Sequence, residues 1–212
     1  MKHVYLLIIS AHILTASFTQ DKKDSLSTGN DIVQQMFDYS RPGKYHQLLA
    51  DLVGTWTFQG RRFPVNLDSS KVKFELFGSH TRKSFAEGRY FIVDMTMGDS
   101  LHKQLIPVQD GKVKEVIGKG IAIEGYDNVK KKFVQASISN HIGSDIVYWE
   151  GTYDSTTKAI TFNSEEEIIP GIKDKVRELF TIHNKDSYTI EYYNEEKGSY
   201  VKNAEVNFTR VK

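Results

Sequence analysis

The chain has 212 residues, which is enough for one domain with a full hydrophobic core and short for two. Its 28 Lys and Arg residues nearly balance its 27 Asp and Glu residues, so no overall field favours nucleic acid or an anionic membrane. The absence of cysteine excludes disulfides, thiol catalysis and thiolate metal sites.

Residues 1–19 have the pattern of a signal peptide. Met1-Lys2-His3 is a short basic start, Val4 to Ala16 is a mostly apolar run, and Ala16-Ser17-Phe18-Thr19 offers small residues for cleavage. The apolar run is shorter than the ~20 residues that span a bilayer. We therefore expect an exported protein, periplasmic or secreted, with no integral membrane segment in the mature chain. Removing the segment takes away Lys2 and no acid, which leaves a formally neutral chain.

Two short segments precede the main domain, which we predict over residues 42–212. Residues 20–41 form a lead-in whose polar part, Gln20 to Asn30, is predicted to be flexible, and whose end, Asp31 to Tyr39, suits a short helix. After Pro42-Gly43, apolar residues at positions 45, 48, 49, 52 and 53 follow helical spacing. This pattern predicts one amphipathic helix that ends at Gly54.

From Gly54 onwards the pattern changes to strands joined by short turns. Tyr, Phe, Thr, Val and Ile are abundant there, and they favour strands. We predict an all-β, antiparallel meander barrel of about ten strands, with the short N-terminal helix capping one end, because closure removes exposed sheet edges. The candidate strands are 55–62, 70–77, 89–97, 104–108, 112–126, 132–139, 146–153, 159–164, 174–182, 188–193 and 199–211.

The first and last predicted strands carry a pair of residues typical of closed barrels. Gly54-Thr55-Trp56 resembles the Gly-x-Trp signature that opens the first strand of lipocalins and their calycin relatives. In those barrels an Arg of the last strand lies across the Trp, and Arg210 occupies the matching place here. The resemblance implies a structural role for Gly54, Trp56 and Arg210 at the closed end, where a guanidinium over an indole contributes about 0.5–2 kcal/mol.

A closer resemblance covers nearly all of residues 43–211, to the bacterial lipocalin-like family catalogued as "domain of unknown function 1579". The resemblance implies a calycin-type barrel and little about activity. Its motifs, in order, are His46 before Gly54-x-Trp56, Gly88-Arg89-Tyr90-Phe91, Gly125-Tyr126-Asp127-Asn128, Lys131-Lys132-Phe133-Val134, Gly151-x-Tyr153-Asp154, Arg177 and Phe208-Thr209-Arg210.

Nitrobindin, a haem-binding barrel of the same broad group, resembles the chain near His46 and Gly54-x-Trp56. Its haem-ligating His lies on the last strand, a few residues before the terminal Arg. Counting back from Arg210 gives Ala204, beside Asn203 and Glu205. The haem ligand is therefore missing from the pattern, and haem binding is not expected.

The histidines show no local metal-ligand spacing, and no metal site is expected from them. His80, His102, His141 and His183 lie near predicted turns or strand ends, where we expect solvated side chains. His46 lies beside the apolar stripe of the helix, and we expect it to cap the closed end by hydrogen bonding, with a ligand or catalytic role as the alternative.

Arg89 is predicted to lie in or at the mouth of the barrel, on the same strand face as Phe91 and Met95. One interpretation is the capture of an anionic ligand. The other is an internal ion pair, because buried Arg is nearly always paired. Its possible carboxylate partners are Asp94, Glu124, Glu150, Glu178 and Glu191.

Gly125-Tyr126-Asp127-Asn128 and Gly151-x-Tyr153-Asp154 both indicate a strand end and a turn, with Asp accepting backbone N–H bonds. A cation site that uses Asp127 and Asp154 is the alternative. Glu165-Glu166-Glu167 is typical of a solvated strand end or loop.

The absence of a nucleophile–base motif and of a phosphate loop favours binding over catalysis. We expect a barrel that binds or carries a small, partly apolar molecule. The alternatives are a slow enzyme using Arg89 with an interior carboxylate or His46, and a filled barrel with a structural or interaction role. The predicted ligand-binding residues are Arg89, Phe91, Met95, Tyr148, Phe180 and Tyr192.

Overall fold

A computed structural model describes residues 24–63, 74–98, 104–108, 112–140 and 143–212. The predicted signal peptide, His102 and His141 lie outside the described residues. The chain divides into two compact units, residues 1–38 and 39–212. In the first unit, α1 (Asp24–Ser40) begins well before the predicted Asp31, so it covers part of the lead-in predicted to be flexible. Among the described residues, neither helix of the chain has the length and hydropathy needed to cross a membrane.

The second unit begins with α2 (Lys44–Ala50), whose apolar stripe follows the predicted helical spacing. Leu49 and Leu52 are fully buried in the core. Tyr45 packs its ring against Tyr126, with ring centroids 4.6 Å apart, and against Phe133 at 5.8 Å. The helix is thereby joined to one end of the sheet, at the turn between residues 126 and 133.

Ten strands close into one antiparallel barrel, as the sequence predicted. Each strand pairs with its chain neighbour, apart from β3 with β6 and the closing pair of β1 with β12. The barrel strands are β1 (Gly54–Arg62), β2 (Phe74–Phe85), β3 (Tyr90–Met97), β6 (Gly118–Asp127), β7 (Lys132–Ser139), β8 (Val147–Asp154), β9 (Ala159–Ile169), β10 (Ile172–Asn184), β11 (Ser187–Glu196) and β12 (Ser199–Arg210).

The chain between β3 and β6 forms a separate hairpin of β4 (Gln104–Pro107) and β5 (Val113–Val116). The prediction of one strand over 112–126 is therefore wrong, because the chain breaks at Ile117 between β5 and β6. The first part pairs with β4, and only the second part joins the barrel.

Alternation along the strands separates a buried inner face from an outer face. Trp56 and Phe58 of β1 point into the core, and their neighbours Thr55 and Thr57 are exposed. On β6, by contrast, Ile121 and Ile123 face outwards and are about half exposed. Aromatic side chains fill much of the core, and most of them come from β1 and from β8 to β12.

Candidate functional site

The closed end of the barrel is built around Trp56, which pairs with Arg210 across the β1–β12 ladder. Trp56 is fully buried, and its indole Nε1 donates to the Leu52 carbonyl at 2.9 Å. The Arg210 guanidinium lies 4.4 Å from the centre of the indole ring. Gly54 has a φ of 140°, and a Cβ there would lie 2.6 Å from Nη1 of Arg210, so glycine is required for this contact.

Every nitrogen of the Arg210 guanidinium donates a hydrogen bond to the backbone. Nη1 donates to Val53, Nη2 to Asp51 and Lys185, and Nε to Lys185, at 2.6–2.8 Å. Arg210 thus fastens the end of α2 and the β10–β11 turn to the Trp56 ring. A fully satisfied arginine of this kind is structural.

A second arginine lies inside the barrel, in a group of polar side chains that we call the interior polar cluster. Its members come from β2, β6, β10 and β11, and four of them are 2–8% exposed. Charged side chains are rarely buried to this degree, so the cluster is the strongest candidate for a functional site. The cluster consists of His80, Arg82, Glu124, Glu178 and Tyr188.

Arg82 is 2% exposed and is only partly satisfied. Its Nη2 donates to Oε1 of Glu124 at 2.9 Å and makes an ion-pair contact with Oε2 at 2.8 Å. Its guanidinium carbon also lies 5.7 Å from the centre of the Phe180 ring. Nε and Nη1 have no hydrogen-bond partner among the described residues, although buried donors are nearly always paired.

Glu178 of β10 faces this ion pair from the opposite wall. Burial is the main cause that raises the pKa of Glu178 to about 8, the negative charge of Glu124 adds to the rise, and Arg82 opposes it. Near neutral pH the carboxyl is therefore mainly protonated, and a protonated carboxyl is able to donate a hydrogen bond. Within the cluster, the carboxyl group that contacts the Arg82 guanidinium is that of Glu124.

His80 and Tyr188 lie on the side of the cluster that is next to the Trp56 ring. The Tyr188 hydroxyl and Nε2 of His80 share a hydrogen bond of 2.7 Å. Burial, together with the charge of Arg82, lowers the pKa of His80 to about 3, so the imidazole is neutral at physiological pH. The Tyr188 ring stacks on Phe208 at 4.4 Å between centroids, which fixes the hydroxyl in place.

The inner face of β6 and β7 carries small side chains, and we call it the small-residue wall (Gly120, Ala122, Ser137 and Ser139). Ala122 pairs with Val93 on one side and with Ser137 on the other, and Val93 pairs with Arg82. These side chains therefore share one row around the interior. Ala122 and Ser137 face inwards yet remain half-buried, so a water-sized molecule reaches this wall.

The structure brings four of the six predicted ligand-binding residues to the inner face. Phe91 and Phe180 are buried, and Met95 and Tyr192 pack against the core. Tyr148 lies on the outer face and is 48% exposed, so its predicted lining position is wrong. Alternation along β8 turns its neighbour Trp149 inwards instead.

The structure assigns the predicted internal ion pair to an arginine other than Arg89. Strand β3 begins only at Tyr90, so Arg89 lies in the β2–β3 turn, where its Nε donates to the Ala86 carbonyl at 3.1 Å. The internal ion pair exists, but Arg82 supplies the cation. Of the five proposed carboxylates, Glu124 is its partner. Asp94 is exposed, Glu150 pairs with Lys132, and Glu191 pairs with Lys202.

His80 was predicted to be solvated and is in fact 4% exposed. The reason is that β2 continues to Phe85, whereas the sequence pattern ended the strand at 77. Residues 78–84 are mostly polar and look like a loop, so both His80 and Arg82 were missed as interior residues. The pattern that could have predicted a strand here is the alternation of His80, Arg82 and Ser84, which places these side chains on one face of a strand that continues beside β1.

His46 is 4% exposed, and its Nδ1 accepts a hydrogen bond from the Gly43 N–H at 3.0 Å. Burial lowers the pKa of His46, and a hydrogen bond with the Tyr126 backbone opposes this effect. A surface cavity of about 350 Å³ borders His46 together with Lys44 and Glu87. Because the imidazole is already bonded to the backbone, its place in the structure is that of a helix anchor.

The two turn motifs use their aspartates as predicted. Asp127 accepts from the N–H groups of Val129 and Lys130, and Asp154 accepts from that of Thr156. Within the described part of the chain, no three His, Asp or Glu side chains converge as metal ligands. Glu165 lies within β9 and not at a strand end or in a loop as predicted, and its carboxylate pairs with Lys173 at 2.7 Å.

Comparisons with known proteins give a family and a fold. A family described as "Protein of unknown function (DUF1579)" matches residues 41–210. No curated protein matches the chain. Among solved structures, an S-type phycobiliprotein lyase from Guillardia theta is similar, with a TM-score of 0.48 and 8% identity over 79% of this chain and 93% of that chain. A likeness of this degree carries no argument about function.

Proposed function

The chain belongs to the DUF1579 family of proteins of unknown function, as its motifs predicted, and we propose that its barrel binds a small, partly apolar molecule. The ligand lies in the interior, with its polar group at Arg82 and its apolar part along the small-residue wall. The observation that carries this proposal is the buried guanidinium of Arg82, whose Nε and Nη1 have no partner among the described residues.

A buried donor without a partner is costly. An unsatisfied polar group in a protein interior costs about 1–3 kcal/mol, and more when it is charged. Oxygen atoms of a ligand would satisfy Nε and Nη1 of Arg82, so a part of this cost becomes binding free energy.

The number of strands also supports an interior ligand. A barrel of about eight strands is just filled by its own side chains or holds one small ligand, and the diameter grows with strand number. This barrel has ten strands, and its large aromatic side chains come mainly from β1 and from β8 to β12. The small-residue wall therefore faces the space that these side chains leave.

Binding is tested by native mass spectrometry of gently purified protein and by titration with the neutral fluorescent probe N-phenyl-1-naphthylamine. We expect the mass spectrum to show a small-molecule adduct, or the probe to bind with saturable fluorescence. A small molecule extracted from the protein should then displace the probe. A bare protein mass together with no probe binding would indicate a barrel filled by its own side chains, and it would overturn the proposal.

We also propose that the protein is exported, to the periplasm or beyond the cell. The support is the signal-peptide pattern of residues 1–19. N-terminal sequencing of the protein from its native source should find a start between Ala16 and Gln20. A mature protein that begins at Met1 would contradict export by this route.

A slow enzyme is the second candidate, and one observation favours it. Glu178 is a buried carboxylic acid that stays protonated near neutral pH, which is what a general acid requires. In this version Arg82 takes the place of Arg89, and Glu178 is the interior carboxylate that acts with it. A Glu178→Gln variant that still binds a ligand, but whose bound ligand differs in mass from the wild-type adduct, would support catalysis.

A further inference from the structure

The chemistry of the interior polar cluster restricts the kind of polar group that a ligand can present, and this restriction rests on the proposed function. The free groups at Arg82 are N–H donors. The partner of such donors must be an acceptor, and both an uncharged carbonyl oxygen and a carboxylate qualify. The two differ in the charge that they bring into the interior.

The positive charge of Arg82 is already matched by Glu124. The two side chains are in contact at 2.8 Å and are 2% and 10% exposed, so water screens neither of them well. A ligand carboxylate at Arg82 would add a second negative charge beside Glu124 in the same poorly screened interior. Like charges at such range repel strongly when water is excluded.

Glu178 shows how this interior treats a second carboxyl group. It faces Glu124 and Arg82, and it is protonated near neutral pH. Tyr188 and Tyr192 on β11 also interact with Glu178. A tyrosine side chain is either neutral or negative, so neither of them supplies a compensating positive charge.

We propose that the barrel selects an uncharged ligand, whose carbonyl oxygen accepts a hydrogen bond from Nε or Nη1 of Arg82, and that it discriminates against the matching carboxylate. The ligand class is therefore a ketone, ester or amide with an apolar chain or ring. The Glu124 carboxylate is the residue that determines this specificity, because it neutralises Arg82 before any ligand enters.

The test is competition against bound N-phenyl-1-naphthylamine by a matched pair, 2-decanone and decanoate, near neutral pH. We expect the ketone to displace the probe at a concentration about tenfold or more below that of the carboxylate. Equal displacement, or stronger displacement by decanoate, would overturn the inference and leave the proposed function standing. Failure of the probe and of both competitors to bind would count against the proposed function itself.

A Glu124→Gln variant should gain affinity for decanoate, and a misfolded protein would not show such a gain. The substitution removes the resident negative charge and leaves Arg82 uncompensated, so decanoate affinity should rise about tenfold or more while the ketone changes little. Glu87→Gln, in the exposed β2–β3 turn, is the matched control and should keep the wild-type preference. Unchanged decanoate affinity in a folded Glu124→Gln protein would overturn the role of Glu124.

Discussion

Two arginines of this barrel both lie beside aromatic rings, yet they are bonded in opposite ways. Arg210 lies over Trp56, and all three of its guanidinium nitrogens donate to backbone carbonyls. Arg82 lies near Phe180 and Tyr188, and within the described part of the chain only its Nη2 has an acceptor. Arg210 therefore holds chain segments together, whereas Nε and Nη1 of Arg82 are the donors that a ligand could use.

This difference separates a structural residue from a functional candidate better than burial does. Arg210 keeps 20% of its side chain exposed, whereas Arg82 keeps 2%. The more buried arginine is thus the less satisfied one, against the general rule for polar groups. A ligand from outside the chain would satisfy these donors, and this is the basis of the proposed binding site.

The largest expected effect is that of Arg82→Met, which leaves the Glu124 carboxylate buried without its partner. Loss of one member of a buried ion pair costs about 3–5 kcal/mol of unfolding free energy. The double variant Arg82→Met/Glu124→Leu should recover most of this loss. Urea unfolding measures both effects, with Arg61→Met, on the exposed side of β1, as the control. A loss no larger than that of the control would show that the pair contributes nothing.

The next effect is the pH dependence of stability that Glu178 causes. Its pKa rises from 4.5 to about 8 on folding, so the folded state retains a proton that the unfolded state releases between these values. Stability should therefore fall as pH rises through this window, by at most about 1.4 kcal/mol per pH unit.

His80 acts at the acid side, because folding lowers its pKa from 6.5 to about 3. The unfolded state takes up the proton first, so this contribution is lost as pH falls through that window. Thermal unfolding against pH should show a broad optimum where the two windows overlap. In Glu178→Gln the alkaline fall should become shallower and the acid fall should remain. An unchanged alkaline fall would place the responsible group elsewhere.

A smaller loss is expected for Arg210→Met. The variant loses the contact with Trp56 and the donors to Asp51, Val53 and Lys185, but water replaces part of the hydrogen bonding. We expect a loss of about 1–3 kcal/mol in urea unfolding, with the affinity for N-phenyl-1-naphthylamine unchanged. Reduced probe affinity in a fully folded variant would break the distinction between the two arginines.

The smallest effect is that of Tyr188→Phe, which keeps the stacked ring and removes only the hydrogen bond to His80. We expect a loss of about 1 kcal/mol in thermal unfolding near neutral pH. Tyr192→Phe is the matched control on the same strand. A loss greater than that of Arg210→Met would mean that the His80–Tyr188 bond secures more of the barrel than its ring packing suggests.

Most of the barrel could be predicted from local pattern, and the interior polar cluster could not. Strands β7 and β12 were placed correctly because alternating side chains and turn residues mark them locally. The second half of β2 was missed, since Gly78 to Ser84 has the composition of a loop. It is a strand because Gly54 to Phe58 of β1 pairs with Gly78 to Arg82, a contact between distant parts of the chain.

The sequence by itself determined the closed barrel, the family, and the junction of Gly54 and Trp56 with Arg210, because these depend on short motifs and on a period of two residues. Only the tertiary structure decided which arginine lies inside. Strand β2 continues past the predicted end at residue 77, so Arg82 lies on a strand and its side chain faces the interior, whereas Arg89 precedes the first residue of β3 and lies in a turn. The protonation of Glu178 likewise depends on burial and on Glu124, a neighbour distant in sequence.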